Sequence, residues 1–142
     1  MIPEIVIKWE KNKINLKKYF ENTNQSEYQS YESIVRKIFE LVITDVDNKW
    51  GGKDSFDIKK MTVIDDGDYQ GTTIYIIPKD TYQPDTNDYL VTDNYYGSCS
   101  GCDTLLSISG YDDNLPNEKQ VKEYMTIALH LVQRMKWLNS ED

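Results

Sequence analysis

The chain has 142 residues, of which 39% are hydrophobic and 28% charged, and its formal net charge is −8. A chain of this length forms one domain with its own core, and this composition excludes collagen-like, low-complexity and fully disordered chains. Its two cysteines exclude a disulfide scaffold. No apolar run approaches the ~18 residues of a membrane span, so we expect no membrane partner.

The N-terminal sequence MIPEIVIKWEKNK has neither a basic start nor a long apolar stretch. This pattern differs from that of a secretory signal. We therefore expect a cytoplasmic protein whose two thiols are reduced.

The segment 1–16 is predicted to form a β-hairpin. Ile5-Val6-Ile7 is a β-rich run, Glu10 to Lys13 is a polar turn, and Ile14 to Leu16 is the returning strand.

A helix is predicted over residues 26–43. Ser26 with Gln29 fits a capping box, and apolar residues then recur at three- and four-residue spacing, which is typical of an amphipathic helix. The stripe consists of Tyr28, Tyr31, Val35, Ile38, Phe39 and Val42.

The region 56–96 is predicted to be β-rich. Residues 61–64 and 72–77 flank an Asp- and Gly-rich turn, which indicates a hairpin that ends at Pro78. Residues 88–96 form a further strand, with Tyr95 on one face and Tyr96 on the other.

A small-residue loop and a short helix are predicted over 97–110, with Asp103 as the helix cap. A last helix is predicted over 116–138, with Pro116 in or near its first turn. These elements predict a single α+β domain with an antiparallel β-sheet and helices packed on one face.

The negative charge is concentrated in the middle of the chain. Residues 51–115 contain twelve aspartates, four lysines and no glutamate, whereas the flanking segments are balanced. Aspartate is typical of turns and caps, although an acidic face that binds a basic partner is the alternative. Because no basic stripe is present to neutralise phosphates, we expect no direct binding to nucleic acid.

The segment 97–103, GSCSGCD, has the strongest local pattern. Cys99 and Cys102 have the C-x-x-C spacing, which serves a structural loop, a redox pair or two ligands of a zinc ion. A complete zinc site would need His130 and a carboxylate, or a second chain in a homodimer. We expect no cofactor, with zinc at Cys99 and Cys102 as the alternative.

The sequence contains weaker patterns for three other kinds of site: an anion site, a calcium site and a catalytic histidine pair. Backbone amides at the 97–103 loop could hold a small anionic ligand, for example a nucleotide signal, although no Walker lysine follows the glycines. Asp65, Asp66 and Asp68 indicate a hairpin turn rather than a calcium site, because the closing Glu of an EF-hand is absent. His130, the one histidine, would have to serve any Ser-His or Cys-His pair.

Tyrosine is concentrated in the same middle region, which contains seven of the eleven. Tyrosine with Asp, Ser, Gly and Asn is typical of recognition surfaces, and also of ordinary strands. The predicted binding residues lie on the strand end and the loop: Tyr95, Tyr96, Gly97, Ser98, Ser100, Gly101 and Asp103.

Three stretches add a resemblance: residues 63–72, the string YGSCSGCDTL at 96–105, and residues 125–133. Over residues 60–138 the chain resembles a group of small uncharacterised proteins of phages and prophages of Gram-positive bacteria. The resemblance implies an accessory protein that acts in the host cytoplasm. By analogy with other small acidic phage proteins, we expect a non-enzymatic protein that binds a host protein or defence complex, with inhibition of that partner as one outcome of binding.

Overall fold

Two antiparallel sheets and four α-helices make up the structure, a computed structural model that describes residues 2–28, 30–68, 70–98, 103–109 and 113–139. The α+β prediction is confirmed. The helices are α1 (Pro3–Glu21), α2 (Tyr31–Leu41), α3 (Thr104–Ser109) and α4 (Glu118–Gln133). The strands are β1 (Asp45–Asp47), β2 (Lys53–Ser55), β3 (Thr62–Asp65), β4 (Gly71–Pro78), β5 (Tyr89–Tyr96) and β6 (Lys136–Trp137).

The N-terminal segment is a helix, so the hairpin predicted at 1–16 is wrong. Pro3 lies in the first turn of α1, where its missing amide hydrogen has no intrahelical partner to lose. Burial of one helical face against α2 and α4 outweighs the β propensity of Ile5-Val6-Ile7. The buried residues of α1 recur at helical spacing: Ile5, Trp9, Leu16 and Phe20.

The second helix is shorter than the predicted span 26–43. Ser30, not Ser26, is its N-cap, and the Ser30 hydroxyl accepts a hydrogen bond from the amide of Ser33 at 3.1 Å. Ser26 lies in a 3₁₀ turn, Gln25–Tyr28, and Gln29 is outside the described residues. The apolar face is as predicted, with Val35, Ile38 and Phe39 buried.

The larger sheet has the strand order β3-β4-β5-β6. The hairpin between β3 and β4 is confirmed, and β4 ends at Pro78. One face of the sheet is buried beneath the helices, and the Thr92 hydroxyl on that face donates to the carbonyl of Leu131 in α4 at 2.6 Å. The buried residues of the two central strands alternate in register: Thr73, Tyr75 and Ile77 opposite Asn94, Thr92 and Leu90.

The other face of the sheet is half-buried to exposed. It carries Ile64, Ile74, Val91 and Tyr95, with exposed fractions of 46% at Ile64 and 57% at Tyr95. We call this side of the sheet the open face.

The C-terminal helix ends earlier than the predicted residue 138. Asn117 and Gln120 form a reciprocal capping box at its start. Beyond Gln133 the chain turns and pairs with β5 as strand β6. Trp137 then stacks on Phe56, with ring centroids 6.3 Å apart, so Trp137 belongs to the sheet and not to the helix predicted over 116–138.

Candidate functional site

Tyr95 and Tyr96 point to opposite faces of the sheet, as the strand alternation predicts. Tyr95 lies on the open face. Tyr96 lies on the helix side, where its hydroxyl donates to Asp65 Oδ1 at 2.6 Å. The two residues therefore belong to different surfaces.

Asp103 joins both ends of the predicted loop. Its side chain caps α3 by accepting from the amide of Leu106 at 3.1 Å, and its other oxygen accepts from the amide of Gly97 at 2.9 Å. Asp103 is only 6% exposed, so these bonds are shielded from water. The bond between the Gly97 amide and the Asp103 carboxylate therefore holds the two ends of the predicted loop close together.

Tyr31 adds a third anchor from helix α2. Its hydroxyl donates to Asp103 Oδ1 at 3.0 Å and accepts from the amide of Leu105 at 3.2 Å. Helix α2 is thereby tied to the start of α3, across more than seventy residues of sequence.

A cavity of about 340 Å³ lies beside this anchor, between α2, the start of α3 and the helix side of β3, β4 and β5. We call it the acidic cavity. Three tyrosines and three acids line it, together with hydroxyl and aliphatic side chains. The lining residues described are Tyr31, Tyr75, Tyr96, Glu32, Asp65, Asp103, Ser30, Thr73, Val63, Leu105 and Leu106.

The tyrosine hydroxyls in the acidic cavity keep their protons at neutral pH. The hydrogen bond to Asp65 raises the pKa of Tyr96 to about 12, with further contributions from burial and from the charges of Asp65, Asp66 and Asp68. Burial is the main cause that raises the pKa values of Tyr31 and Tyr75 above the usual 10.0.

Asp65 keeps its negative charge. The hydroxyl of Tyr96 and the amide of Gly67 both donate to it and hold its pKa below the usual 3.8. Among the described lining residues there is no lysine, arginine or histidine, and the guanidinium of Arg36 pairs with the lining residue Glu32 at 3.3 Å. The cavity is therefore negative and aromatic.

A second, smaller cavity of about 170 Å³ lies on the other side of Tyr31. His130 of α4 and Arg134, the C-cap residue of that helix, line it together with Asn94, Tyr95 and Thr104. Asn94 is 3% exposed, and its amide oxygen has no hydrogen-bond partner among the described residues. The Arg134 Nε donates to the carbonyl of Asp93 at 2.8 Å.

The structure describes five of the nine predicted site residues. Tyr96, Gly97 and Asp103 meet at the acidic cavity or at the loop base, Ser98 is exposed, and Tyr95 lies on the open face and also lines the smaller cavity. The other four, Cys99, Ser100, Gly101 and Cys102, lie outside the described residues. The predicted zinc site at the cysteine pair therefore stays a prediction.

The acidic turn behaves as a hairpin turn. Asp65 accepts from the amide of Gly67 at 3.0 Å, and Asp66 accepts from the amide of Thr72 at 2.7 Å. Gly67 is required there, because a Cβ atom would lie 2.0 Å from the carbonyl oxygen of Gln70. Over the described residues, no group of three or more His, Cys, Asp or Glu side chains is placed to hold a metal ion.

Sequence reasoning missed Tyr31, Glu32 and Tyr75 as site residues. Tyr31 appeared only as one member of the apolar stripe of a helix, and Tyr75 as a strand residue. These residues meet in the acidic cavity only because α2 packs over β4, and the spacing of residues in the sequence does not predict that packing.

Within the described ranges, no helix is long and apolar enough to cross a bilayer. No protein-family model, curated protein or solved structure matches the chain.

Proposed function

We propose that this protein is a non-enzymatic binding protein whose acidic cavity accepts a lysine or arginine side chain of a partner protein. One observation carries the proposal: three tyrosines and three acids surround a cavity of about 340 Å³ that has no basic residue among its described lining.

The chemistry of the lining selects for a cation. An ammonium or guanidinium group near the face of a tyrosine ring gains about 0.5–2 kcal/mol, more when water is excluded. Ionised Asp65 and the buried Asp103 add attraction at short range. The acidic turn next to the cavity, with Asp66 and Asp68, would steer a basic surface towards it.

The same geometry disfavours a small anionic ligand in this cavity. A phosphate or carboxylate there would face Asp65 and Asp103, and like charges at short range repel. The interpretation of the loop as a nucleotide-signal site therefore gains no support from the acidic cavity.

The resemblance to phage proteins supplies the proposed biological setting. In that setting the partner is a host protein or defence complex in the host cytoplasm, and an inserted basic side chain would serve as the anchor of an inhibitory contact.

The first test uses single side chains as probes. N-acetyl-lysinamide and N-acetyl-argininamide are titrated into ¹⁵N-labelled protein, with N-acetyl-glutaminamide as the neutral control. We expect the cationic probes to bind with dissociation constants of about 1 mM and to shift the amide signals of Gly97, Leu105 and Leu106. Equal shifts with the neutral probe would contradict the proposal.

Matched variants locate the binding. Asp65→Asn removes a cavity charge, whereas Asp113→Asn removes an exposed charge outside the cavity lining. We expect Asp65→Asn to weaken binding of the lysine probe by about fivefold or more and Asp113→Asn to leave its affinity unchanged. The partner itself is sought with a photo-crosslinking residue at Glu32, and with Glu10, on the exposed side of α1, as the control position.

A second candidate function is a thiol–metal protein, and the position of His130 favours it. His130 lines the smaller cavity together with Thr104, and Cys102 precedes Thr104 by two positions. Zinc held by Cys99, Cys102 and His130 would have the nitrogen and sulfur ligands that it prefers. Metal analysis of protein purified without chelator tests this: a zinc content that falls in Cys99→Ser, Cys102→Ser and His130→Gln supports it, and zinc-free wild-type protein contradicts it.

A further inference from the structure

Strand β3 is the edge of the four-stranded sheet, and it is exposed along its whole length. It carries two apolar β-branched residues, Val63 at 38% exposure and Ile64 at 46%. Among the described strands, only β4 pairs with it. Exposed apolar edges of this kind are templates for pairing with another strand.

The register shows which backbone groups point outward. The amide of Asp66 donates to the carbonyl of Thr72, which makes these two residues a hydrogen-bonded pair. Because such pairs alternate along an antiparallel ladder, Ile64 and Thr62 also direct their backbone groups towards β4. The amide and carbonyl groups of Val63 and Asp65 therefore point away from the sheet.

Charge is distributed along this edge in a self-complementary way. Lys59 and Lys60 lie just before β3, separated from it by Met61, whereas Asp65 ends the strand and Asp66 follows it. When two such strands run antiparallel, the basic start of each lies beside the acidic end of the other. A parallel arrangement would place like charges together, which is unfavourable.

We propose that β3 pairs with β3 of a second copy of this chain, antiparallel about a two-fold axis at Val63. The outward groups of the two Val63 residues bond to each other, and Met61 of each copy lies opposite Asp65 of the other. In this register Lys60, the last residue of the 3₁₀ turn Ile58–Lys60, comes near Asp66 of the second copy. The two sheets join into one of eight strands, with the helices of both copies on the same side.

This register is favoured over its neighbour by side-chain chemistry. A shift that centres the axis on Ile64 would pair each Val63 with an aspartate, Asp65, on the helix side of the sheet. The proposed register pairs Val63 with Val63 there, and Thr62 with Ile64 on the open face, which are favourable β-branched pairs.

The dimer should be weak. A strand of four residues contributes a short ladder, well below the ~1,200–2,000 Å² of a stable protein interface. We expect the average mass in sedimentation experiments at low salt to rise from 16.6 kDa towards twice that value as the concentration increases. A protein that remains monomeric up to millimolar concentration would overturn the proposal.

One variant removes the pairing without touching β4. Val63→Pro deletes the outward amide hydrogen, and proline is tolerated on a sheet edge. We expect it to weaken the dimer by about tenfold or more, while amide exchange at Ile64 shows that the β3–β4 ladder is intact. A dimer of unchanged affinity would overturn the proposal.

The charges are tested by a matched pair. Lys60→Glu is expected to weaken the dimer. Lys11→Glu makes the same change at an exposed position of α1 and is expected to leave the dimer affinity unchanged. Equal effects of the two variants would count against the antiparallel pairing of these ends.

The register is tested by crosslinking in a Cys99→Ser, Cys102→Ser background. Cysteines at position 63 would face each other with Cα atoms about 5.5 Å apart, within reach of a disulfide. Cysteines at position 64 would be displaced along the strands to about 8 Å, beyond that reach. We expect Val63→Cys to crosslink under mild oxidation and Ile64→Cys not to; the reverse would overturn this register.

Discussion

Tyr31 separates two cavities that differ in charge and in how fully their polar groups are paired. In the acidic cavity, the hydroxyl of Tyr31 and the carboxylates of Asp103 and Asp65 all have hydrogen-bond partners. In the smaller cavity, the amide oxygen of Asn94 has no partner within the ranges that the structure describes. The paired groups of the first cavity therefore help to hold the fold together. In the second cavity Arg134 is also paired, with Asp93, and only the amide oxygen of Asn94 makes no such contribution.

The comparison predicts a large loss of stability at Asp103. Asp103→Ala removes the cap of α3 and leaves the amides of Gly97 and Leu106 and the hydroxyl of Tyr31 without their acceptor. We expect the free energy of unfolding to fall by about 3 kcal/mol, since each buried unsatisfied group costs about 1–3 kcal/mol and such costs are not additive. Urea denaturation measures it, with Asp113→Ala as the exposed control, and a loss no larger than that of the control would show that Asp103 does not hold the fold together.

A smaller loss is expected at Tyr31. Tyr31→Phe keeps the ring but removes the hydroxyl that links Asp103 to the amide of Leu105, which should lower the free energy of unfolding by about 1.5 kcal/mol. Tyr95→Phe is the control, because Tyr95 is exposed and its hydroxyl makes no hydrogen bond within the described part of the chain. Thermal unfolding measures the stability of both variants. Equal stability of Tyr31→Phe and Tyr95→Phe would contradict a structural role of the Tyr31 hydroxyl.

Removing a polar side chain from the second cavity is expected to have the opposite effect on the free energy of unfolding. Asn94→Leu removes a buried acceptor that has no partner in the described part of the chain, and it also removes the long bond of 3.4 Å from the Asn94 amide to the carbonyl of Tyr95, so we expect unchanged stability or a gain of about 1 kcal/mol. Thr92→Val, two positions earlier on the same face, breaks the bond to Leu131 and should cost about 1 kcal/mol. If Asn94→Leu proves as destabilising as Thr92→Val, the amide of Asn94 is paired in solution.

The smallest effect concerns the pKa of Asp65. Tyr96→Phe removes the main cause of its lowered value, so the pKa should rise towards 3.8. Because the folded-state pKa of Asp65 is lowered, its contribution to stability is present above the unfolded-state pKa and is lost as the pH falls through the folded-state value. Carboxyl-carbon NMR between pH 2 and 6 follows the titration in both proteins; identical curves would show that the hydroxyl of Tyr96 does not bond to Asp65 in solution.

The sequence predicted local elements well where one period was unambiguous. The β3–β4 hairpin follows from β-rich runs on both sides of an Asp- and Gly-rich turn, and the alternation of 89–96 placed Tyr95 and Tyr96 on opposite faces. The prediction for α1 was wrong because the short β-rich run at residues 5–7 drew more weight than the helical spacing of the apolar residues Ile5, Trp9, Leu16 and Phe20. The sequence-based prediction also extended α4 through Trp137, because nothing local to that segment indicates pairing with β5.

The candidate site could be predicted only in part for the same reason. Asp103 as a helix cap is a local inference, since its partner is the amide three residues later. Its bonds to Gly97 and Tyr31 join distant elements, and so does the bond between Tyr96 and Asp65.

Composition and spacing alone determined that this is an acidic α+β protein with its negative charge in the β-rich region, because those properties depend on residue type and nearest neighbours. The tertiary structure decided where that charge acts. Packing of α2 over the sheet brings Tyr31 and Glu32 beside Tyr75, Tyr96 and Asp65, and such long-range contacts are specified by the summed burial of whole faces rather than by any short pattern.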